Sequence, residues 1–173
     1  MSWLRLLSGP NTNATARALT RRSVLGATLA LAACGFTPAY GPGGAGTRLH
    51  GQVRVADPVT PDDYAFLRRM TERLGPDQSA RYALSYQLRI AVVPQAITPD
   101  EVTTRYSLNG TAAFRLTEIG SGRVVSQGEV SNFTSHSAVG SVVATMAAEQ
   151  DARDRLAVML ADQVMTRLLA AAP

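Results

Sequence analysis

Two histidines, a serine beside one of them, adjacent aspartates, a scatter of arginines and one cysteine are the residues here whose types and spacing could do chemistry. His50 and His136 lie far apart, and neither belongs to a metal-ligand spacing, so no metal and no cofactor is expected. Ser135 and His136 could be drawn as a nucleophile and its base, but neighbours on a strand point to opposite faces. Both histidines read as exposed polar side chains. Asp62 and Asp63 follow Thr60-Pro61, the signature of a helix start, so they serve the helix dipole better than acid–base chemistry. No glycine-rich loop between a strand and a helix offers a nucleotide cradle. The chain does not read as an enzyme.

The cysteine is different. Cys34 closes "LALAAC", directly after an uncharged block from Val24 to Ala33 and a cationic segment carrying Arg5, Arg17, Arg21 and Arg22. That is the order of a secretory signal, and the apolar block is too short to span a bilayer. "LAAC" resembles the lipobox of bacterial lipoproteins, whose cysteine is acylated and becomes the first mature residue. A signal peptide over 1–33 and a lipidated tether over 34–47 follow, and "GFTPAYGPGG" suits a tether because its prolines and glycines cannot continue a helix or a central strand. Acyl chains on one cysteine hold a protein to a membrane almost permanently. Gly35, rather than Asp, resembles the sorting signal for the outer membrane. "TRR" at 20–22 also resembles a twin-arginine export signal, and the export route stays open.

Without the leader, the charge argument reverses. Every basic residue is arginine; four of the seventeen lie before Cys34, leaving thirteen against thirteen acids. A near-neutral mature chain is no nucleic-acid binder, whatever the pI of the full sequence. With no second cysteine an intramolecular disulfide is excluded.

The elements that would position the remaining arginines are legible in periodicity. "LHGQVRVAD" alternates from Leu49 to Val55 as a half-buried strand. "TPDDYAFLRRMTERLGP" predicts a capped helix with Phe66, Leu67, Met70 and Leu74 inward, ending at Gly75-Pro76. From Tyr82 to Val92 and from Val102 to Leu116, apolar residues alternate with polar ones, predicting two long strands that are wet on one face. "RVVSQGEVSNFT" predicts a fourth strand, with a bulge near Phe133. Residues 131–148 carry no formal charge and read as a connection. Ala152, Leu156, Leu160, Val164 and Leu168 then mark an amphipathic helix. The expected fold is α+β: a two-layer sandwich over 48–173, with a four-stranded, mainly antiparallel sheet, both helices on one face and the order β-α-β-β-β-α. Arg81, Arg89, Arg105, Arg115 and Arg123 should then share the uncovered face, where guanidinium groups bind phosphates or carboxylates.

"LAACGFTPAYG", "TTRYSLNGTAAFRLTE" and above all "AAEQDARDRLAVMLADQVMTRLL" resemble the lipopolysaccharide-assembly lipoprotein family, LptE. The resemblance implies a protein anchored in the outer membrane, plugging and helping to assemble the LptD β-barrel, and taking part in placing lipopolysaccharide in the outer leaflet. It implies lipidation at Cys34 and lipopolysaccharide as ligand, with Arg105, Arg115 and Arg89 as the positions for its contact. An accessory lipoprotein of a lipid-importing ABC transporter, with a similar small α+β domain, is the alternative.

Overall fold

The computed structural model describes residues 38–97 and 103–172; Cys34, the leader before it and Val102 lie outside them. Among the described residues three helices and four strands follow one another as α1 (Ala45–Leu49), β1 (Val53–Val55), α2 (Pro61–Leu74), β2 (Tyr82–Ile97), β3 (Thr103–Glu118), β4 (Val124–Ser137) and α3 (Val142–Ala171). The sheet runs in chain order, β1-β2-β3-β4. β1 pairs parallel with the start of β2, as the α2 crossover between them requires, and the other two pairings are antiparallel.

Each helix boundary has a local cause. At α2, Thr60 Oγ1 accepts the Asp63 amide while the Asp63 carboxylate accepts the Thr60 amide, a reciprocal cap in front of Pro61. Asp63 is thus a capping residue, and Asp62 pairs with Arg153 of α3 at 3.2 Å. α3 starts at Ser141, whose hydroxyl accepts the Ala144 amide. It therefore begins at Val142, within the stretch expected as a connection, and β4 runs through the rest of that stretch to Ser137. Uncharged residues at 142–148 carry no polar face, so periodicity alone could not place the helix start.

Two further expectations are corrected. The first strand spans only Val53–Val55, while Leu49 is buried at the end of α1. Gly51 breaks the extension: its φ is +70°, its amide donates to Leu74 O at 2.7 Å, and its carbonyl accepts from Gln78. The bulge lies at Val125, because Leu116 faces Ser126 while Thr117 faces Val124; at Phe133 the register is unbroken. Phe133 is exposed because plain alternation turns it to the wet face.

The core sits between sheet and helices. Leu156, Leu160, Val164 and Leu168 of α3 are fully buried, as are Leu108, Ala112 and Leu116 of β3. Phe66 of α2 meets Tyr86 of β2 at 4.5 Å between ring centroids. Gly110 lets α3 approach β3: a Cβ there would lie 2.9 Å from Leu156 Cδ2 and 3.0 Å from Leu160 Cδ1. Between the helices, Asp162 accepts from both Arg69 (2.9 Å) and Arg73 (3.0 Å).

The N-terminal segment is seated on this layer. Arg73 Nη2 donates to the Tyr40 hydroxyl at 3.0 Å, and the Gly46 amide donates to Ala39 O at 2.7 Å. A Cβ on Gly46 would lie 2.5 Å from the Tyr40 ring and 3.0 Å from Ala39 O, and that backbone atom cannot yield as a side chain can. Gly46→Ala should therefore unseat residues 39–44 without unfolding the sandwich. Hydrogen exchange should rise severalfold there, and remain unchanged in β3.

Candidate functional site

β2, β3 and β4 each present alternate residues to the side away from the helices. The register aligns Ser85 with Arg115 and Gln127, and Arg89 with Thr111 and Ser131. At about 3.3 Å per residue, Arg89 stands roughly 13 Å along the strands from the level of Arg115, and Arg105 about 20 Å beyond Arg89. All three are exposed. The Arg89 guanidinium donates to Gln87 Oε1 at 3.2 Å, which orients it without neutralising it. Arg115 borders a shallow depression of about 580 Å³, lined also by Ser85, Gln87, Gln127 and the small residues Ala113 and Gly128. Among the described residues neither Arg105 nor Arg115 has a carboxylate partner.

Arg81 and Arg123 do not join this row as expected. Both are held by Glu118: Arg81 Nη2 lies 2.8 Å from Oε1, and Arg123 Nη2 lies 3.4 Å from Oε2. The hydrogen bond from the Ser121 hydroxyl (2.7 Å), together with those two guanidiniums, lowers the Glu118 carboxyl to about 2. A depressed carboxylate stabilises the fold fully above its ordinary value of 4.5, and that contribution is lost as pH falls towards 2. Acid melting of Glu118→Gln should accordingly converge on that of the parent near pH 2 and separate from it above 4.5.

His136 is also corrected, because it is buried. Tyr106 is its partner in the register, parity turns both inward, and their rings stack at 5.5 Å; among the described residues the His136 Nδ1 has no hydrogen-bond partner. Ser135 is exposed on the opposite face, so the serine–histidine pair is not assembled. His50 is exposed, its ring against Gly75. Burial, more than nearby Asp63 and Asp57, pushes the Tyr86 phenol up to about 12. Among the described residues no group of three metal-ligating side chains is gathered.

Sequence reading missed Gln87 as the partner of Arg89, and the depression beside Arg115. Neither has a one-dimensional signal, since both depend on which residues become cross-strand neighbours. It also missed the apolar end of the sandwich, where Phe133, Val139, Val142, Val143 and Met146 are all more than two-thirds exposed. The uncharged run at 131–148 was its one visible trace. The arrangement as a whole is an exposed polar face whose separated guanidiniums suit an extended, multiply anionic ligand.

No curated protein matches the chain at a significant level. Among solved structures it is similar to a chain from Caulobacter crescentus described as a lipoprotein, with a TM-score of 0.61 and 20% identity, covering 73% of this chain and 93% of that one. Rare lipoprotein B from Shewanella oneidensis matches with a TM-score of 0.54 and 10% identity, over 69% of this chain and 92% of that one. Lipoprotein B from Nitrosomonas europaea matches with a TM-score of 0.53 and 10% identity, over 69% and 82%. At such identities these likenesses speak for the fold. The model of the lipopolysaccharide-assembly family LptE matches residues 6–168, nearly the whole sequence, so the chain belongs to the LptE family of bacterial envelope lipoproteins.

Proposed function

We propose that the mature chain begins at an acylated Cys34, is held on the periplasmic side of the outer membrane, plugs the LptD β-barrel, and contributes to lipopolysaccharide insertion in the outer leaflet. Arg105, Arg115 and Arg89 are the contacts for the anionic part of that ligand.

The observation that carries this reading is a contrast in how the arginines are used. Seven are paired with carboxylates, at Arg54, Arg69, Arg73, Arg81, Arg123, Arg153 and Arg155. Among the described residues Arg48, Arg68 and Arg167 also lack one, each on a different helix, whereas Arg89, Arg105 and Arg115 lack one together on the uncovered sheet face, in a mature chain whose formal charges balance. Leaving cations unpaired on one face suits a ligand that supplies the anions. The same face is rich in Ser, Thr, Asn and Gln, which suits the polar lumen of a barrel.

Affinity purification from detergent-solubilised outer membranes tests it. The expected result is a tightly held barrel of several hundred residues together with lipopolysaccharide. Recovery of a permease and an ATPase would replace this reading with the importer accessory, and recovery of the lipoprotein alone would overturn the plug.

A further inference from the structure

A second cationic site lies away from the sheet face, at the end of the domain where the N-terminal segment is seated. Thr47, Arg48, His50, Gln52 and Arg81 border a cleft of about 420 Å³. Its donors are held in place yet only partly used. Arg48 Nη1 donates to Gly43 O at 2.7 Å, and among the described residues its Nε and Nη2 have no hydrogen-bond partner. Arg81 spends Nε and Nη2 on Glu118, leaving Nη1. The His50 ring is braced against Gly75, where a Cβ would lie 2.6 Å from its Cε1 and Nε2. That position is open to the ring because Gly75 is a glycine with φ +74°.

The charges around the cleft do not cancel. Glu118 is shared by Arg81 and Arg123, which leaves that trio one positive charge in excess, and Asp77 is occupied by Arg54 at 2.8 Å. Among the described residues Arg48 has no carboxylate partner and donates to a backbone carbonyl, Gly43 O. One guanidinium without a carboxylate, a second that shares its carboxylate with Arg123, and an imidazole line one small cleft. Thr47 and Gln52 are held beside them by hydrogen bonds to Gly41 O (3.1 Å) and Ser79 Oγ (2.8 Å). This set matches a phosphate ester better than a carboxylate or an apolar ligand.

We propose that this cleft binds the phosphate of a membrane-lipid headgroup. The lipid source, rather than a dissolved phosphate, follows from chain length and rests on the reading of Cys34 as acylated. Only five residues lie between Cys34 and Tyr40, which is tied to Arg73, and six Cα steps span at most about 22 Å. The acyl group keeps headgroup phosphates at a high effective concentration near residues 47–50. The anchor and the cleft together grip the membrane at two points, while the arginine face stays free for its own ligand.

The test uses the anchored, isotope-labelled lipoprotein in phosphate-free maltoside micelles, followed by NMR at Arg48 Nε–Hε and the amides of residues 47–52. Its intact mass is measured first. One arm receives phosphatidylglycerol in the micelle and the other dissolved glycerol phosphate. Phosphatidylglycerol should shift these resonances at far lower concentration, and Arg48→Gln should weaken the response roughly tenfold in both arms with the remaining spectrum unchanged. His50→Gln supplies a second, milder variant with a smaller loss. Absence of shifts in both arms, or shifts indifferent to both substitutions, overturns the cleft. Equal potency of the two phosphates overturns the lipid source. An unacylated mass instead overturns the anchor reading, so the two failures are distinguishable.

Discussion

Leu156→Ala should lower the free energy of unfolding by about 2–5 kcal/mol, read as a fall in denaturant midpoint at unchanged slope. Leu156 is wholly buried on the α3 stripe and reaches over Gly110, where β3 has no side chain of its own. Truncating the isobutyl side chain to a methyl leaves a void that Gly110 cannot fill. Gly110→Ala alone should cost about 1–3 kcal/mol, because its Cβ would press on Leu156 and Leu160. Combined, the two changes should cost less than their sum, since the new methyl occupies part of the space the leucine vacates. Strict additivity in this double-mutant cycle would mean that helix and strand do not meet at Gly110.

This contact also shows what could be read from the sequence. The α3 stripe and the alternation of β2 and β3 were visible because each element has one dry face, and a dry face imposes a period on the chain. The Thr60-Pro61-Asp63 cap was visible because it is local. Partnerships between distant residues left no such trace. Nothing in one dimension announces that Glu118 takes up Arg81 and Arg123, which reduces a row of five arginines to three. Burial of His136 depends on its register with Tyr106, which sets the face its ring takes. Leu49 fits a strand's parity as well as a helix end, and the positive φ of Gly51 decides between them. The site was therefore legible as a face and a residue type, whereas the geometry within that face required the register.

Arg105→Glu with Arg115→Glu should weaken lipopolysaccharide binding by roughly a hundredfold or more while leaving the fold and barrel association intact. Each guanidinium can supply a charge-assisted contact of about 1.5–3 kcal/mol, and a carboxylate in its place adds repulsion. Both side chains are exposed, so the change in stability should stay within about 0.5 kcal/mol, checked by thermal melting. The spacing makes the prediction sharper. Arg105 and Arg115 lie ten residues apart on one strand, about 33 Å, so no single small anion touches both. An extended ligand with several anionic groups must meet them separately, and the two single substitutions should then add in free energy. Arg89, set between them, should add a third increment when changed to Gln. Affinity should also fall steeply with ionic strength in the parent and weakly in the double variant, because the exposed guanidiniums carry the screened part of the attraction. Binding unchanged in the double variant would remove both arginines from the site and transfer ligand recognition to another part of the domain.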